Sequence, residues 1–467
     1  MNRTARWCSG PVSLSRRGFL QVGALGAFGL SDLLRLRAEG AERAGKSEPD
    51  TAVILVWLPG GPPHMETYDL KPEAPEEYRG IFKPISTVVP GTEICEYLPL
   101  HAKTADKFNL VRSISHEFAD HGGGHKRFLT GRSPASPTGF VNDAPMVGSI
   151  VSKMRESKDV GVPNYVAGVD DGRQGVDTFS FGGAYLGQGT TPFIIKGDPN
   201  SPTFKIDHLT LEPSLANRLD DRARMLDAFD RLRREVDRSE EMESHDEFVH
   251  KAIHLLTSPA ARSAFDLSKE DPRLRDRYGR HPWGQRAILA RRLVEAGCSF
   301  VTMVMENPIP PGQAVPPGVI YNWDSHAVNG HIFDDAKVRL PHYDQAITAL
   351  VEDLTGRGLT RRVLLIVTGE FGRTPRLSQF NGRPGRDHWP SAMSMLVCGG
   401  GMRTGQVIGS TNSKGEFPKD RPLSPNDLWA TAYRHLGIDP SLSFPDFSGR
   451  PMPILPFGEP IAELIPG

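Results

Sequence analysis

The sequence has few cysteines, four in 467 residues, and no Cys-x-x-Cys spacing among them. Cys8 lies in the N-terminal segment, which leaves Cys95, Cys298 and Cys398 for the rest of the chain. Three thiols cannot all pair, although two of them could still form one disulfide in an oxidising compartment. Cys298 and Cys398 lie beside apolar runs typical of strands, so we expect buried free thiols. Nothing in this pattern indicates thiol chemistry.

An excess of charge and a long apolar run are also missing. The 55 basic residues nearly balance the 56 acidic ones, giving a formal net charge of -1, so no nucleic-acid-binding surface is indicated. The apolar run at residues 18–30 is shorter than the roughly 20 residues that cross a membrane, so we expect no transmembrane helix in the mature chain. With 38% hydrophobic and 24% charged residues, the composition is that of a globular protein with a large core.

The N-terminus does contain a pair of arginines, Arg16 and Arg17, directly before that apolar run. This pattern is typical of a twin-arginine export signal, with a chance arginine pair before an apolar helix as the alternative. Small residues between Arg37 and Gly45 would permit cleavage. We predict that residues 1–45 are a signal and spacer that bind the twin-arginine machinery. The protein would then be exported to the periplasm or the cell surface.

From residue 50 onwards, apolar runs alternate with helical patterns. The runs end at glycine or polar residues, as buried strands of a parallel sheet do, and include "TAVILVWLPGG", "FNLVRSIS", "CSFVTMVM", "RRVLLIVTGEFGR" and "MSMLVCGGG". Helices are predicted for "WGQRAILARRLVEAG", with a stop at Gly297, and for "YDQAITALVEDLTGRG", which ends at Gly356 and Gly358. This order predicts one α/β domain over residues 50–467 with a mostly parallel sheet. We expect a charged helical insertion at residues 214–258 and a Pro-rich rim or lid loop at residues 307–318.

Histidines and carboxylates cluster next to these predicted strands. Active sites of parallel sheets form where the carboxyl ends of the strands meet, so these side chains are expected to lie close together. Histidine with aspartate and glutamate is a ligand set for a divalent metal, and zinc or manganese suits it better than calcium. Each residue alone could be an ordinary hydrogen-bonded loop residue. The candidate metal ligands are His64, Asp324, His326, Glu370, Asp387 and His388.

Three glycines, Gly122 to Gly124, separate His121 from His125 where a helix is expected to begin. Glycine disfavours a helix, so we expect either a flexible surface loop or a place where something approaches the backbone too closely for a Cβ. Exposed amides at this point would suit the oxygens of an anionic ester.

Motifs along nearly the whole mature chain are similar to those of the DUF1501 family. They are "AVILVWLPGGPPHMETYD", "DHGGGHKRFLTGR", "YGRHPWGQRAILARRLVEAG", "NWDSHAVN", "VTGEFGRTPR", "GRDHWP" and "GGGMRTGQVIGST". The family consists of exported, twin-arginine-signal proteins and is placed in the alkaline phosphatase/sulfatase superfamily. The resemblance therefore implies a three-layer α/β/α fold. It also makes "FLTGR" similar to the turn after a sulfatase nucleophile, which puts His121 near the nucleophile position.

The sequence departs from the superfamily pattern at three places. No Ser, Thr or Cys lies between Asp120 and Lys126 to serve as the nucleophile. The aspartate ligand expected after the first strand is replaced by "PGG", with His64 and Asp69 nearest to it. The later Asp-His pair is replaced by "TGEF", which leaves Glu370. A direct copy of the alkaline phosphatase mechanism is therefore not expected.

Two functions remain open at this point. One is a metal-dependent hydrolase of phosphate or sulfate esters, with polysaccharide among the conceivable substrates. In it, His121 or His125 would act as general base or nucleophile. Arg127 or Arg373 would neutralise the charge of the ester. The other function is non-catalytic binding of an anionic glycan or a partner protein, for which a stoichiometric metal is not needed.

Overall fold

The structure, a computed structural model, describes residues 50–158, 161–170, 180–204, 206 and 258–465. An eight-stranded sheet lies at its centre. In chain order its strands are β1 (Ala52–Trp57), β2 (Asn109–Ile114), β3 (Tyr165–Val169), β4 (Phe193–Lys196), β5 (Phe300–Val304), β6 (Val363–Thr368), β7 (Met393–Gly399) and β8 (Val407–Ile408). Across the sheet the order is β8-β2-β7-β6-β1-β5-β3-β4.

All the strands of this sheet except β7 point the same way. β1 pairs in parallel with β5 and β6, β3 with β4 and β5, and β8 with β2. β7 is antiparallel to both of its neighbours, β2 and β6. The predicted mostly parallel sheet is confirmed, but the strand alternation had implied that β7 is parallel as well. Its direction follows from its connection, because residues 369–392 contain no helix that could cross over the sheet.

Helices cover both faces of the sheet. They are α1 (Pro99–Thr104), α2 (His121–Thr130), α3 (Val147–Met154), α4 (Pro259–Phe265), α5 (Pro272–Tyr278), α6 (Pro282–Glu295), α7 (Ile332–Gly356) and α8 (Pro425–Leu436). Alternate side chains of β1 face opposite cores, so Ile54 lies in one core and Leu55 in the other. The first core includes residues of α1, α4, α5, α6 and α7, and the second includes residues of α2, α3 and α8. The chain therefore forms three α/β/α layers, as predicted.

Short elements decorate this framework. Two-stranded antiparallel pairs join Pro84–Ser86 with Glu93–Cys95, Gly372–Arg373 with His388–Trp389, Ser378–Phe380 with Arg383–Gly385, Ser410–Thr411 with Pro418–Asp420, and Ser443–Pro445 with Pro451–Pro453. Single 3-10 turns lie at His64–Glu66, Ala105–Lys107, Ala184–Leu186, Gln188–Thr190, Leu267–Lys269, Leu359–Arg361 and Ala462–Leu464.

The two helices predicted with defined ends are present. α6 matches its prediction, and α7 ends at Gly356 as expected. α7 begins earlier than its apolar pattern indicated, because the His331 side chain caps it by accepting a hydrogen bond from the Asp334 N–H. Residues 307–318 contain neither helix nor strand, as predicted for a loop.

Two of the predictions fall on residues outside the described ranges. These are the export signal at residues 1–45 and the helical insertion at residues 214–258, apart from Ser258. Within the described ranges, no helix is long and apolar enough to cross a bilayer. Cys298 and Cys398 are buried and unpaired, as expected, and so is Cys95.

Candidate metal centre

Five chain segments meet at one edge of the sheet. β1, β5 and β6 end side by side, because Trp57 is the register partner of both Val304 and Thr368. β2 ends at Ile114, which lies opposite Met393 at the start of the antiparallel β7. A segment that precedes β7 therefore reaches the same edge as segments that follow the parallel strands. The five segments supply Gly60, His121, Asp324, Glu370 and His388.

The carboxylate of Asp324 lies at the centre of a group of imidazoles. Its Oδ1 is 3.1 Å from Nε2 of His388 and 3.2 Å from Nε2 of His326. Nε2 of His121 is 3.4 Å from the same oxygen. Arg373 donates to it from Nη2 at 2.5 Å. Ligand atoms of His121, Asp324 and His388 all lie within 4.8 Å of one another, which is close enough to share one metal ion.

Two of these imidazoles are held from behind by oxygen atoms. Nδ1 of His388 donates to the carbonyl of Ala119 at 2.6 Å. Nδ1 of His326 donates to Oδ1 of Asp387, also at 2.6 Å. Because Nδ1 is the donor in both rings, the Nε2 atoms are the ones that face Asp324. Asp387, predicted as a metal ligand, thus contacts Nδ1 of His326. The ring of His326 lies between Asp387 and the Asp324 oxygen.

A second group forms around the buried carboxylate of Glu370. Its Oε1 accepts hydrogen bonds from Nδ1 of His121 and from the N–H of Gly60, both at 2.8 Å. Nε2 of His125 is 3.4 Å from the same oxygen. Oε2 of Glu370 is buried without a hydrogen-bond partner among the described residues. His121, His125 and Glu370 also lie close enough to share a metal, so His121 belongs to both groups.

Charge in the site is balanced between these carboxylates and the groups around them. Burial alone would raise the pKa of Asp324, but the three imidazoles and Arg373 outweigh burial and hold it far below its ordinary range. Burial would lower the pKa of His121, but its bonds to Asp324 and Glu370 raise it to about 9. Burial dominates at His388 and lowers its pKa.

Not every predicted residue joins these groups. His64 is buried and its Nε2 lies 2.9 Å from the carbonyl of Gly415, with burial lowering its pKa to about 4. Among the described residues it forms no hydrogen bond or ion pair with the imidazole group. Asp69 binds Lys71 at 2.9 Å and accepts a hydrogen bond from Thr411 at 2.5 Å. The turn after β1 therefore contributes the Gly60 amide and neither of the two side chains expected from it.

The two predicted ester-binding arginines both have protein partners. Arg127 is buried and donates to Glu117 at 3.1 Å and to Asn426 at 2.8 Å. Arg373 is fully buried and donates to the carbonyls of Gly60 and Gly61 as well as to Asp324. Each guanidinium is thus hydrogen-bonded to other parts of the protein, and a role in binding an ester stays a prediction for both.

The three glycines lie in the first turn of α2, so the expectation of a flexible loop was wrong, whereas the alternative of a close approach to the backbone is confirmed. A Cβ at Gly122 would lie 2.4 Å from the carbonyl oxygen of Gly139, and one at Gly124 would lie 2.9 Å from the ring of Phe371. The side chain of Asp120 caps the helix by accepting hydrogen bonds from the N–H groups of Gly122 and Gly123. Protein atoms, not a ligand, account for the missing side chains.

Residues outside the predicted set of catalytic residues and metal ligands also shape the site. Nε2 of His116 donates to the backbone carbonyl of Glu370 at 2.5 Å, since its Nδ1 accepts from Phe118. The ring of Phe371 packs 4.5 Å from that of His388. Backbone donors and acceptors such as the Ala119 carbonyl leave no mark in the sequence, but His116 stood directly after a predicted strand and was therefore a visible candidate.

A family model described as "Protein of unknown function (DUF1501)" matches residues 50–465. The chain belongs to the DUF1501 family. No curated protein matches it. The family resemblance of the sequence motifs is thus confirmed.

Three solved structures show what the chain is similar to. A sulfatase from Pseudoalteromonas sp. is 13% identical, with 86% of this chain and 70% of that chain covered and a TM-score of 0.35. A protein in the alkaline phosphatase superfamily from Vibrio parahaemolyticus is 13% identical, with 84% and 67% covered and a TM-score of 0.34. A phosphonate monoester hydrolase of Agrobacterium radiobacter is 14% identical, with 88% and 78% covered and a TM-score of 0.34. Likeness at this level says nothing about activity.

Proposed function

We propose that the protein is an exported hydrolase of phosphate or sulfate esters that depends on a divalent metal bound by His121, Asp324 and His388. The observation that carries the proposal is the convergence of two imidazoles and one carboxylate within 4.8 Å. Catalytic metal sites typically have three protein ligands of these types and leave a position for water or substrate. Export rests on the arginine pair at Arg16 and Arg17.

The imidazole nitrogens around Asp324 are better suited to binding a cation than to contacting one another. Nε2 of His326 and Nε2 of His388 are 2.9 Å apart, although both rings donate from Nδ1. Two lone pairs therefore face each other unless a proton or a metal lies between them. The imidazole and carboxylate mixture favours zinc or manganese, because calcium prefers shells made of oxygen.

The residues around the site would act mainly by holding the metal-binding atoms in position. When bound, a divalent ion at this site would polarise the ester oxygen and make nearby water a better nucleophile. Asp387 and the Ala119 carbonyl orient the rings of His326 and His388, a support that typically raises metal affinity. Since no Ser, Thr or Cys lies at residues 121–126, we assign the attack on the ester to water.

One observation favours the non-catalytic alternative, in which the protein binds an anionic glycan or a partner without turnover. The amides at the start of α2 are suited to an anion, yet the carboxylate of Asp120 accepts hydrogen bonds from two of them. An ester anion would find this position filled by a side chain of the protein itself.

The test is hydrolysis of phosphate monoesters, phosphate diesters and sulfate esters of p-nitrophenol, together with sulfated polysaccharides, with zinc or manganese added. We expect wild-type protein to hydrolyse at least one of them, a chelator to stop turnover, and His388→Ala to lose roughly 100-fold or more of the rate. His342→Ala, on α7, is the matched control and should retain the rate. Metal binding without any turnover would support the non-catalytic alternative, and wild-type protein that binds no metal would contradict the metal centre itself.

A further inference from the structure

The two loops that carry Asp324 and His388 meet at the backbone of Arg386. Its N–H donates to the carbonyl of Ser325 at 2.9 Å, which joins the loop of Asp324 to the loop of His388. Its own carbonyl accepts a hydrogen bond from Nη1 of Arg373 at 3.1 Å, and Nη2 of that arginine donates to Asp324. Any shift of Arg386 therefore changes the placement of both loops.

The side chain of Arg386 is fully buried, and every nitrogen of its guanidinium donates a hydrogen bond. Nε donates to Oε2 of Glu66 at 2.9 Å and Nη2 donates to Oε1 of Glu66 at 2.7 Å. The remaining bonds go to backbone carbonyls of Tyr78, Thr374 and Pro375. Glu66 is also 0% exposed, so this is a fully desolvated, bidentate ion pair.

Such a pair adds little to the net free energy of folding. The cost of removing two charges from water largely cancels their attraction, and apolar replacements of similar volume are often as stable. What a bidentate pair does supply is a fixed geometry, because the planar fork of arginine meets the carboxylate in one orientation. Glu66 lies in the 3-10 turn His64–Glu66 that follows β1, so it ties the loops to a strand end at the centre of the sheet.

We propose that Glu66 is a positioning residue that acts through Arg386 to set the spacing between Asp324 and His388. The inference rests on the proposed metal centre and adds a residue that touches neither of those two ligands in the structure. It also gives the turn after β1 a part in the site, through Glu66 and not through His64.

The pair can be disturbed without removing a charge. Gly80 lies against Glu66, and a Cβ at Gly80 would lie 2.7 Å from Oε1 of Glu66. Gly80→Ala would therefore push the carboxylate away from Arg386 while leaving both charges in place. Glu270 provides a matched control, because it pairs with the buried Arg291 at 2.8 Å and both side chains are less than 10% exposed.

The experiment measures zinc dissociation constants by calorimetry on full-length wild type, Glu66→Gln, Gly80→Ala and Glu270→Gln, with folding checked by circular dichroism. We expect zinc binding roughly 10- to 100-fold weaker for Glu66→Gln, a smaller loss for Gly80→Ala, and no more than about a twofold change for Glu270→Gln.

The outcomes separate the inference from the proposal on which it rests. If wild type binds no zinc, the metal centre itself is wrong. If wild type binds zinc and Glu66→Gln binds it equally well, the positioning role is wrong. An equal loss in Glu270→Gln would show general destabilisation and would also overturn it. If Glu66→Gln does not fold, the test passes to Gly80→Ala. Zinc affinity unchanged from wild type in that variant would contradict the positioning role.

Discussion

Two imidazoles, that of the half-buried His388 and that of the buried His281, are accommodated in different ways at the scale of single residues. In His388, Nδ1 donates to a carbonyl, and Nε2 faces the carboxylate of Asp324, where the proposed metal would bind. His281 instead accepts a hydrogen bond at Nδ1 from the Gly284 N–H as the cap of α6, and its ring packs 4.7 Å from that of His342. Burial first, and then the nearby His342, lower the pKa of His281 to about 3.

This shift predicts how stability changes with pH. Above pH 6.5 His281 is neutral in both the folded and the unfolded chain, so it has no effect. As the pH falls from 6.5 toward 3, the unfolded chain takes up a proton that the folded chain refuses, and stability is lost. We expect His281→Asn, which keeps a good cap, to remove about 2 kcal/mol of the loss in unfolding free energy between pH 7 and pH 5. Urea unfolding of both proteins at the two pH values measures this difference, and parallel losses would contradict it.

Residue positions were predictable from sequence where a strand end determined them. His121, Asp324 and Glu370 follow parallel strands, and the structure brings all three to the same edge of the sheet. His64 also follows a strand, but its contact is with Gly415, more than three hundred residues away, which no local pattern reveals. The Glu66–Arg386 pair was missed for the same reason, although both residues stand in quoted motifs.

At the scale of elements, α2 is a helix built from poor helix formers. Its three glycines disfavour the helix, but Gly122 and Gly124 each allow another part of the protein to approach within a distance that a side chain would block. The Asp120 cap and the left-handed Gly131 define the two ends of the helix. Close packing of the first turn therefore outweighs helix propensity and places His121 and His125 against Glu370.

This balance can be tested with two glycine substitutions. Gly122→Ala gains helix propensity, but its Cβ would meet the Gly139 backbone, so we expect a net loss of about 1–3 kcal/mol in unfolding free energy. Gly356→Ala, at the last residue of α7, has no neighbour within 4 Å and should be neutral or stabilising by up to about 1 kcal/mol. Denaturant unfolding of the two variants measures both values. Equal stability of the two variants would show that packing at Gly122 is not the reason for the glycine.

The direction of β7 is the element-scale feature that strand alternation did not anticipate. The sequence between β6 and β7 has no apolar helical pattern, and that absence was the available signal, because a parallel connection needs a crossover. The reversal matters for the site. His388 precedes an antiparallel strand and so arrives at the edge where the parallel strands end.

At the scale of the whole molecule, the site exists only when distant segments of the chain are assembled. His121, Asp324 and His388 are separated by about two hundred and by 64 residues along the chain, and the three-layer packing brings them together. The fold class was predictable because it depends on alternating elements, each visible within some fifteen residues. The exact ligand set was not, because it depends on hydrogen bonds between loops that are far apart in sequence.

The most direct test of this account is anomalous diffraction from crystals of the full chain grown with zinc. We expect a peak at the zinc edge within about 2.0–2.2 Å of Nε2 of His121, Nε2 of His388 and a carboxylate oxygen of Asp324, and none in crystals of Asp324→Ala. A peak held by His125 and Glu370 without Asp324, or no peak at all, would contradict the metal centre proposed here.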